Sequence, residues 1–148
     1  MESIILDTNV VSELMRSQPE QAVMDWFGRR NSDVFYVSAI TQAEIMLGIS
    51  LLPAGKRRDA LATAAEGMFS QDFAGRCLPF DATGAAIYAT IISGRRRAGQ
   101  SISTEDALIA ATALTHDYPL ATRNTKDFLG INGLTLYNPC QTENLFRD

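Results

Sequence analysis

The chain has 148 residues, of which 46% are hydrophobic and 20% charged, and its formal net charge is −4. That length suits one domain over residues 1–148 with one core, and the acid excess excludes a whole-molecule field that draws in nucleic acid. No apolar run approaches the ~18 residues of a membrane span, Met1-Glu2-Ser3 shows neither the basic start nor the long apolar stretch of a secretory signal, and two distant cysteines, Cys77 and Cys140, make a cytoplasmic protein with free thiols the expectation.

Ile4-Ile5-Leu6 is a short aliphatic run that suits a strand buried on both faces of a parallel sheet. Asp7-Thr8-Asn9 ends it, and a helix is predicted through Met15. A second amphipathic helix is predicted over residues 20–29, with Val23, Trp26 and Phe27 on one side. Asn31-Ser32-Asp33 reads as a turn, Val34-Phe35-Tyr36-Val37 as the next strand, and residues 38–52 as a helix stopped by Pro53-Ala54-Gly55. Residues 56–69 form a third amphipathic helix, in which Ala60, Leu61, Ala64 and Met68 share a face for the core or for a partner. Cys77-Leu78-Pro79-Phe80 is a brief strand weakened by its proline. Asp81-Ala82-Thr83 caps a helix that Gly99 ends, and Ser103 opens another to about Thr115. Leu120-Ala121-Thr122 and Leu134-Thr135-Leu136-Tyr137 are the last strands. Strands that alternate with helices throughout predict a three-layer α/β/α domain with a small, mostly parallel sheet.

Three acids stand at predicted helix starts. Asp7 directly follows a buried run, where open parallel sheets bind ligands, and it equally suits a helix cap. Thr41-x-x-Glu44 and Ser103-x-x-Asp106 have the form of capping boxes. Yet Glu44 also leads Leu47, Gly48 and Leu51, and Asp106 leads Ile109, Ala110 and Ala113, two stripes read as inward. A carboxylate on an inward stripe must be paired, protonated or bound to a cation. Brought together, the three would raise one another's pKa unless positive charge intervenes. Oxygen ligands without histidine or thiol suit Mg²⁺ or Mn²⁺ rather than Zn²⁺. The one histidine, His116, reads as a surface residue at a helix C-terminus.

Thr8 and Asn9 offer a hydroxyl and an amide, for the site or for capping. Past the fourth strand, Asn124 is the first polar group to emerge, Asp127 suits a short helical turn, and Arg123 either meets phosphate or pairs with an acid. Lys56-Arg57-Arg58 and Arg95-Arg96-Arg97 hold six of the thirteen basic residues, and read first as solvated helix ends, second as local phosphate grips.

The wording Leu6-Asp7-Thr8-Asn9-Val10-Val11-Ser12-Glu13 resembles the opening of PIN-domain proteins. Ser38-Ala39-Ile40-Thr41-Gln42-Ala43-Glu44 resembles their second acidic motif, and Ile102-Ser103-Thr104-Glu105-Asp106-Ala107-Leu108-Ile109-Ala110-Ala111 their third. Ala121-Thr122-Arg123-Asn124 with Asp127-Phe128 resembles the fourth, and Tyr137-Asn138-Pro139 a common tail. The ordered set, over residues 4–139, is similar to VapC/FitB-type toxins of bacterial toxin–antitoxin pairs. That resemblance implies a small parallel sheet between helices and a Mg²⁺- or Mn²⁺-dependent endoribonuclease acting on structured RNA such as tRNA. It implies a cognate antitoxin, a homodimer, and a complex that meets operator DNA through the antitoxin. By position, Asp7 and Asp106 become the principal metal ligands, Glu44 the third acid, binding metal directly or through water, and Asn124 the fourth catalytic position; Thr8 and Arg123 are, on their own chemistry, the candidate substrate contacts. The family often has aspartate where this chain has Asn124, so a second ion would be held more weakly or would need Asp127. Hydrolysis by metal-activated water would leave a 5′-phosphate and a 3′-hydroxyl. Two alternatives stand beside this reading. Another Mg²⁺-dependent nuclease or phosphatase is disfavoured because Thr8 and Asn9, not a second aspartate, follow Asp7. A degenerate PIN domain that only binds is kept open by Asn124.

Overall fold

The computed structural model describes residues 1–141. The predicted domain over residues 1–148 therefore includes seven residues, 142–148, that lie outside the described ones. Five parallel strands form one sheet in the order β3-β2-β1-β4-β5. They are β1 (Ser3–Leu6), β2 (Val34–Ser38), β3 (Cys77–Leu78), β4 (Leu120–Ala121) and β5 (Leu136–Tyr137). Between them run α1 (Thr8–Leu14), α2 (Gln21–Gly28), α3 (Ala39–Ser50), α4 (Lys56–Gly67), α5 (Ala82–Arg97) and α6 (Thr104–His116). The predicted α/β class and parallel sheet match this arrangement. Among the described residues, no helix is long and apolar enough to cross a membrane.

The central strand explains the layering. Alternate residues of β1 face opposite sides of the sheet, and all of Ile4, Ile5 and Leu6 are fully buried. Ile4 and Leu6 join Val10, Val11, Trp26 and Val37 in one core. Ile5 joins Ala107, Ala110, Ala111 and Leu120 in the other. Each buried aliphatic side chain stabilises by ~1.5–3 kcal/mol relative to exposure, so β1 is anchored firmly enough to hold a charged residue at its end. Four buried alanines, Ala107, Ala110, Ala111 and Ala113, let α6 lie close against its neighbours.

The sequence pattern misplaces one helix face. Leu47 is 58% exposed and Leu51 74%, and Gly48 is exposed too. The inward residues of α3 are Thr41 and Ile45. Apolarity alone suggested the wrong stripe, because three sides of α3 carry aliphatics and its docking on the sheet, not its composition, sets the phase. On α4, Ala60 and Ala64 are exposed, Leu61 and Met68 half-buried, and Ala65 is the buried position. The predicted helix end near Phe69 becomes a wider π-helical turn, Met68–Asp72, which leads to Phe73, and both phenylalanines are buried. The predicted strands run longer than the observed ones: Pro79 and Phe80 lie beyond Leu78, Thr122 lies beyond Ala121 although its amide still donates to the Tyr137 carbonyl at 2.9 Å, and Leu134 and Thr135 precede β5.

Candidate active site

From β1 the chain moves outward to β2 and β3, then returns to the other side of β1 to place β4 and β5. The connections leaving β1 and β4 therefore diverge, which opens a crevice beyond the carboxyl ends of these strands. Asp7 is the first residue after β1 and caps α1. Its Oδ1 accepts the Thr8 amide at 2.9 Å. Its Oδ2 accepts the Thr122 hydroxyl at 2.7 Å and the Asn9 side-chain amide at 3.2 Å. Thr122 and Asn9 also fix the segment after β4. Thr122 Oγ1 accepts the Asn124 amide at 3.1 Å, and Asn9 Oδ1 accepts the Arg123 amide at 3.2 Å.

Glu44 is not the partner of a cap. Ser38 caps α3, its Oγ accepting the Thr41 amide at 3.0 Å, so Glu44 stands in the second turn and the expected Thr41-x-x-Glu44 box is absent. The Glu44 carboxylate instead accepts the Thr8 hydroxyl at 2.7 Å. Thr41 Oγ1 lies 2.9 Å from Thr8 Oγ1. With the Thr8 proton directed at Glu44, Thr41 is the donor in that second contact. Asp106 keeps its expected place in the first turn of α6, where Ser103 Oγ accepts its amide at 3.1 Å.

One open cleft of about 590 Å³ is lined by Asp7, Thr8, Glu44, Asp106, Arg123 and Asn124 together. Every residue that the sequence nominated as a site residue thus reaches the same depression. Asp127 does not line it; it sits exposed on the 3₁₀ turn Thr125–Phe128, and its charge helps raise the Asp106 pKa. His116 ends the 13-residue α6, some 20 Å along the helix axis from its start.

The cleft is electrostatically unsatisfied. Burial pushes the Asp7 carboxyl up to about 6, against the lowering hydrogen bonds from Thr122 and Thr8, and the charges of Asp106 and Glu44 add to the rise. Burial also raises the Asp106 carboxyl, with Asp127 and Glu105 contributing. Among the described residues, no three Asp, Glu, His or Cys side chains stand close enough to close around one ion. The donors nonetheless fit a hard cation, because Mg²⁺ is commonly held by one or two carboxylates with water completing its shell. A divalent ion would supply the positive charge that the surroundings of Asp7 lack.

Sequence reasoning passed over several participants. Glu13 is 2% exposed and accepts Arg123 Nη1 at 2.9 Å, so Arg123 does pair with an acid. Its signal was spacing: Glu13 falls three residues after Val10, on the inward side of α1. Thr122 and Thr41 were passed over as strand and cap residues. Arg95 is not a solvated helix end, since its guanidinium donates to the carbonyls of Ser101, Asp127 and Leu129.

A fold and cleft of this kind define a class, and comparison with known proteins supplies it. The family profile described as PIN domain matches residues 4–133. The chain is 41% identical over 136 residues to VapC ribonuclease Y4jK of Sinorhizobium fredii, covering 92% of this chain and 96% of that protein. It is 43% identical over 136 residues to Toxin FitB of Neisseria gonorrhoeae, covering 92% and 97%. The solved structure of FitAB bound to an IR36 DNA fragment superposes with a TM-score of 0.85 at 42% identity, over 96% of this chain and 99% of that one. The chain belongs to the PIN domain family, among relatives of the VapC and FitB type.

Proposed function

We propose that this protein is an endoribonuclease toxin of a toxin–antitoxin pair, which hydrolyses RNA phosphodiester bonds with Mg²⁺ or Mn²⁺ held by Asp7 and Asp106, with Glu44 reaching the ion through water. The observation that carries the reading is Asp7: a buried carboxylate at the switch point of the sheet, pushed up to about 6, with two further acids on the cleft it floors. The names of the relatives, a VapC ribonuclease and the toxin FitB, support the activity and the role. When bound, the ion supplies counter-charge for the phosphate and acidifies the attacking water.

The protein's own residues do the rest. Thr122, Asn9 and the Thr8 amide hold both oxygens of Asp7 in place on the cleft. Thr8 fixes Glu44 through its hydroxyl, backed by Thr41. Asn124 brings an amide oxygen to the rim without charge, so one ion is held well and a second weakly. RNA enters from the open side, and water attacks in line with the 3′ leaving oxygen.

The likeness to the structure of FitAB bound to a DNA fragment supports a cognate antitoxin; on this reading the antitoxin covers the cleft and reads operator DNA. A homodimer of this chain completes the assembly. Expression of the chain should arrest growth, and Asp7→Asn should abolish both arrest and RNA cleavage while circular dichroism shows the fold intact. Undiminished cleavage by Asp7→Asn, or by the unsubstituted chain in excess EDTA, would falsify the mechanism. Cleavage absent from the unsubstituted chain, with no calorimetric Mn²⁺ binding, would favour the alternative of a binding subunit.

A further inference from the structure

The cleft holds a second charged unit that the proposed chemistry does not use. The Glu13 carboxylate is filled from three directions. Arg123 Nη1 donates to it at 2.9 Å, Arg16 Nη1 at 3.2 Å and 3.3 Å to its two oxygens, and the Glu20 amide at 2.7 Å. Glu13 belongs to α1, Arg16 follows that helix, and Arg123 follows β4. One buried carboxylate therefore gathers two guanidiniums from separate segments.

Both guanidiniums line the cleft that holds Asp7 and Asp106. Arg16 also lines a groove toward α3 and α4, and Arg123 a depression beside Asn9 and Asn124. The pair thus stands where three depressions meet, as a segment of polymer threading the cleft would require. A guanidinium has five N–H donors. Arg16 is 65% exposed, and among the described residues its Nε and Nη2 meet no acceptor. Arg123 Nη2 has only a looser contact, 3.6 Å from Glu20. Glu13 and Glu20 together balance the two positive charges, so the unit offers directed N–H donors, chiefly those of Arg16, rather than a net charge beside three acids.

Stability does not explain the arrangement. Arg16 is 65% exposed, and the buried Glu13 carboxylate would already be met by Arg123 and the Glu20 amide without it. We propose that Arg16 and Arg123, held side by side by Glu13, form a seat for an RNA phosphate next to the one cleaved, with Glu13 as the positioning residue. This rests on the ribonuclease reading. Planar forks suit bidentate phosphate recognition, and guanidiniums fixed in advance lose less side-chain freedom on binding. The sign of one substitution separates positioning from bulk charge. Were Glu13 merely an anion near RNA, its neutralisation would tighten binding. As the residue that holds both forks, its neutralisation weakens it.

The test measures anisotropy of a short labelled single-stranded RNA with the Asp7→Asn chain in Mg²⁺, across a salt series. Added to that background, Arg16→Ala and Arg123→Ala should each weaken binding several-fold and lower the log–log salt slope by roughly 0.7. Glu13→Gln should weaken binding too, with melting curves run in parallel. In the cleaving chain, Arg16→Ala should raise KM more than it lowers kcat. Arg16 is exposed, so its variant folds even where Glu13→Gln does not. Unchanged affinity and slope for Arg16→Ala, tighter binding by a folded Glu13→Gln, or no RNA binding at all would each overturn the seat; the first is also what a site for a protein carboxylate would give. EDTA-sensitive cleavage by the unsubstituted chain is scored separately, so the seat can fail while the ribonuclease reading stands.

Discussion

Asp7 shows how a single residue can be placed against its own stability. Its carboxyl is raised from 3.8 to about 6 by burial. A raised carboxyl contributes most to stability below its unfolded value, and that contribution is lost as pH climbs through the folded value. In metal-free buffer the penalty is thus absent below about pH 4 and complete above about pH 6, on the order of 3 kcal/mol. Asp7→Asn should therefore melt several degrees higher than the parent at pH 7.5, and the gap should close near pH 4. The gain falls short of the full penalty because either orientation of the new amide sets its NH₂ against a donor, the Thr8 backbone amide in one and the Asn9 side-chain amide in the other. Equal melting temperatures at both pH values would show that Asp7 is well solvated. Thr122 is the counterpart: Thr122→Val removes the 2.7 Å donor to Asp7. It should cost about 1 kcal/mol and move the acid limb of the cleavage profile to higher pH, since ionised Asp7 loses a hydrogen bond. Asp7 was legible from the sequence because a charge ends an aliphatic run. Thr122 was not, because its role depends on a partner 115 residues away.

At the level of elements, helix starts were legible and helix faces were not. Asp7, Asp81 and Ser103 cap as their sequence positions indicate, because a cap is a local interaction between a side chain and nearby amides. The face of α3 depends on a sheet assembled from distant strands, so Leu47 and Leu51 misled. Gly84 is a further case of tertiary control. It lies in the first turn of α5, and a Cβ there would stand 3.1 Å from two ring atoms of Phe80. Alanine ordinarily favours a helix over glycine by ~1 kcal/mol, while overpacking costs ~1–3 kcal/mol. Phe80 is held edge-on by Tyr88, so Gly84→Ala should lower stability by about 1 kcal/mol in urea unfolding. A stabilised variant would mean that the ring swings aside.

For the molecule as a whole, the order of strands and helices and the class of fold were readable because hydrophobic period and turn residues are written locally. The strand order β3-β2-β1-β4-β5 is not local and was not readable in the sequence; the family wording implied only a small parallel sheet between helices, and the convergence of acids was expected from their places at helix starts as well as from that wording. The cleft carries excess negative charge, so a bound divalent ion should stabilise the entire fold by mass action. Mn²⁺ at about 100 times its Kd should add ~2.7 kcal/mol, visible as a concentration-dependent rise in melting temperature that Asp7→Asn lacks.

Asp7 is made 115 residues before Thr122, whose hydroxyl clasps it. A ribosome must deliver β4 before the crevice has its second wall. Translation intermediates shorter than that hold Asp7 and Glu44 without Thr122, Arg123 or Asn124 beside them, so a chain released before Thr122 should neither bind Mn²⁺ nor cleave RNA.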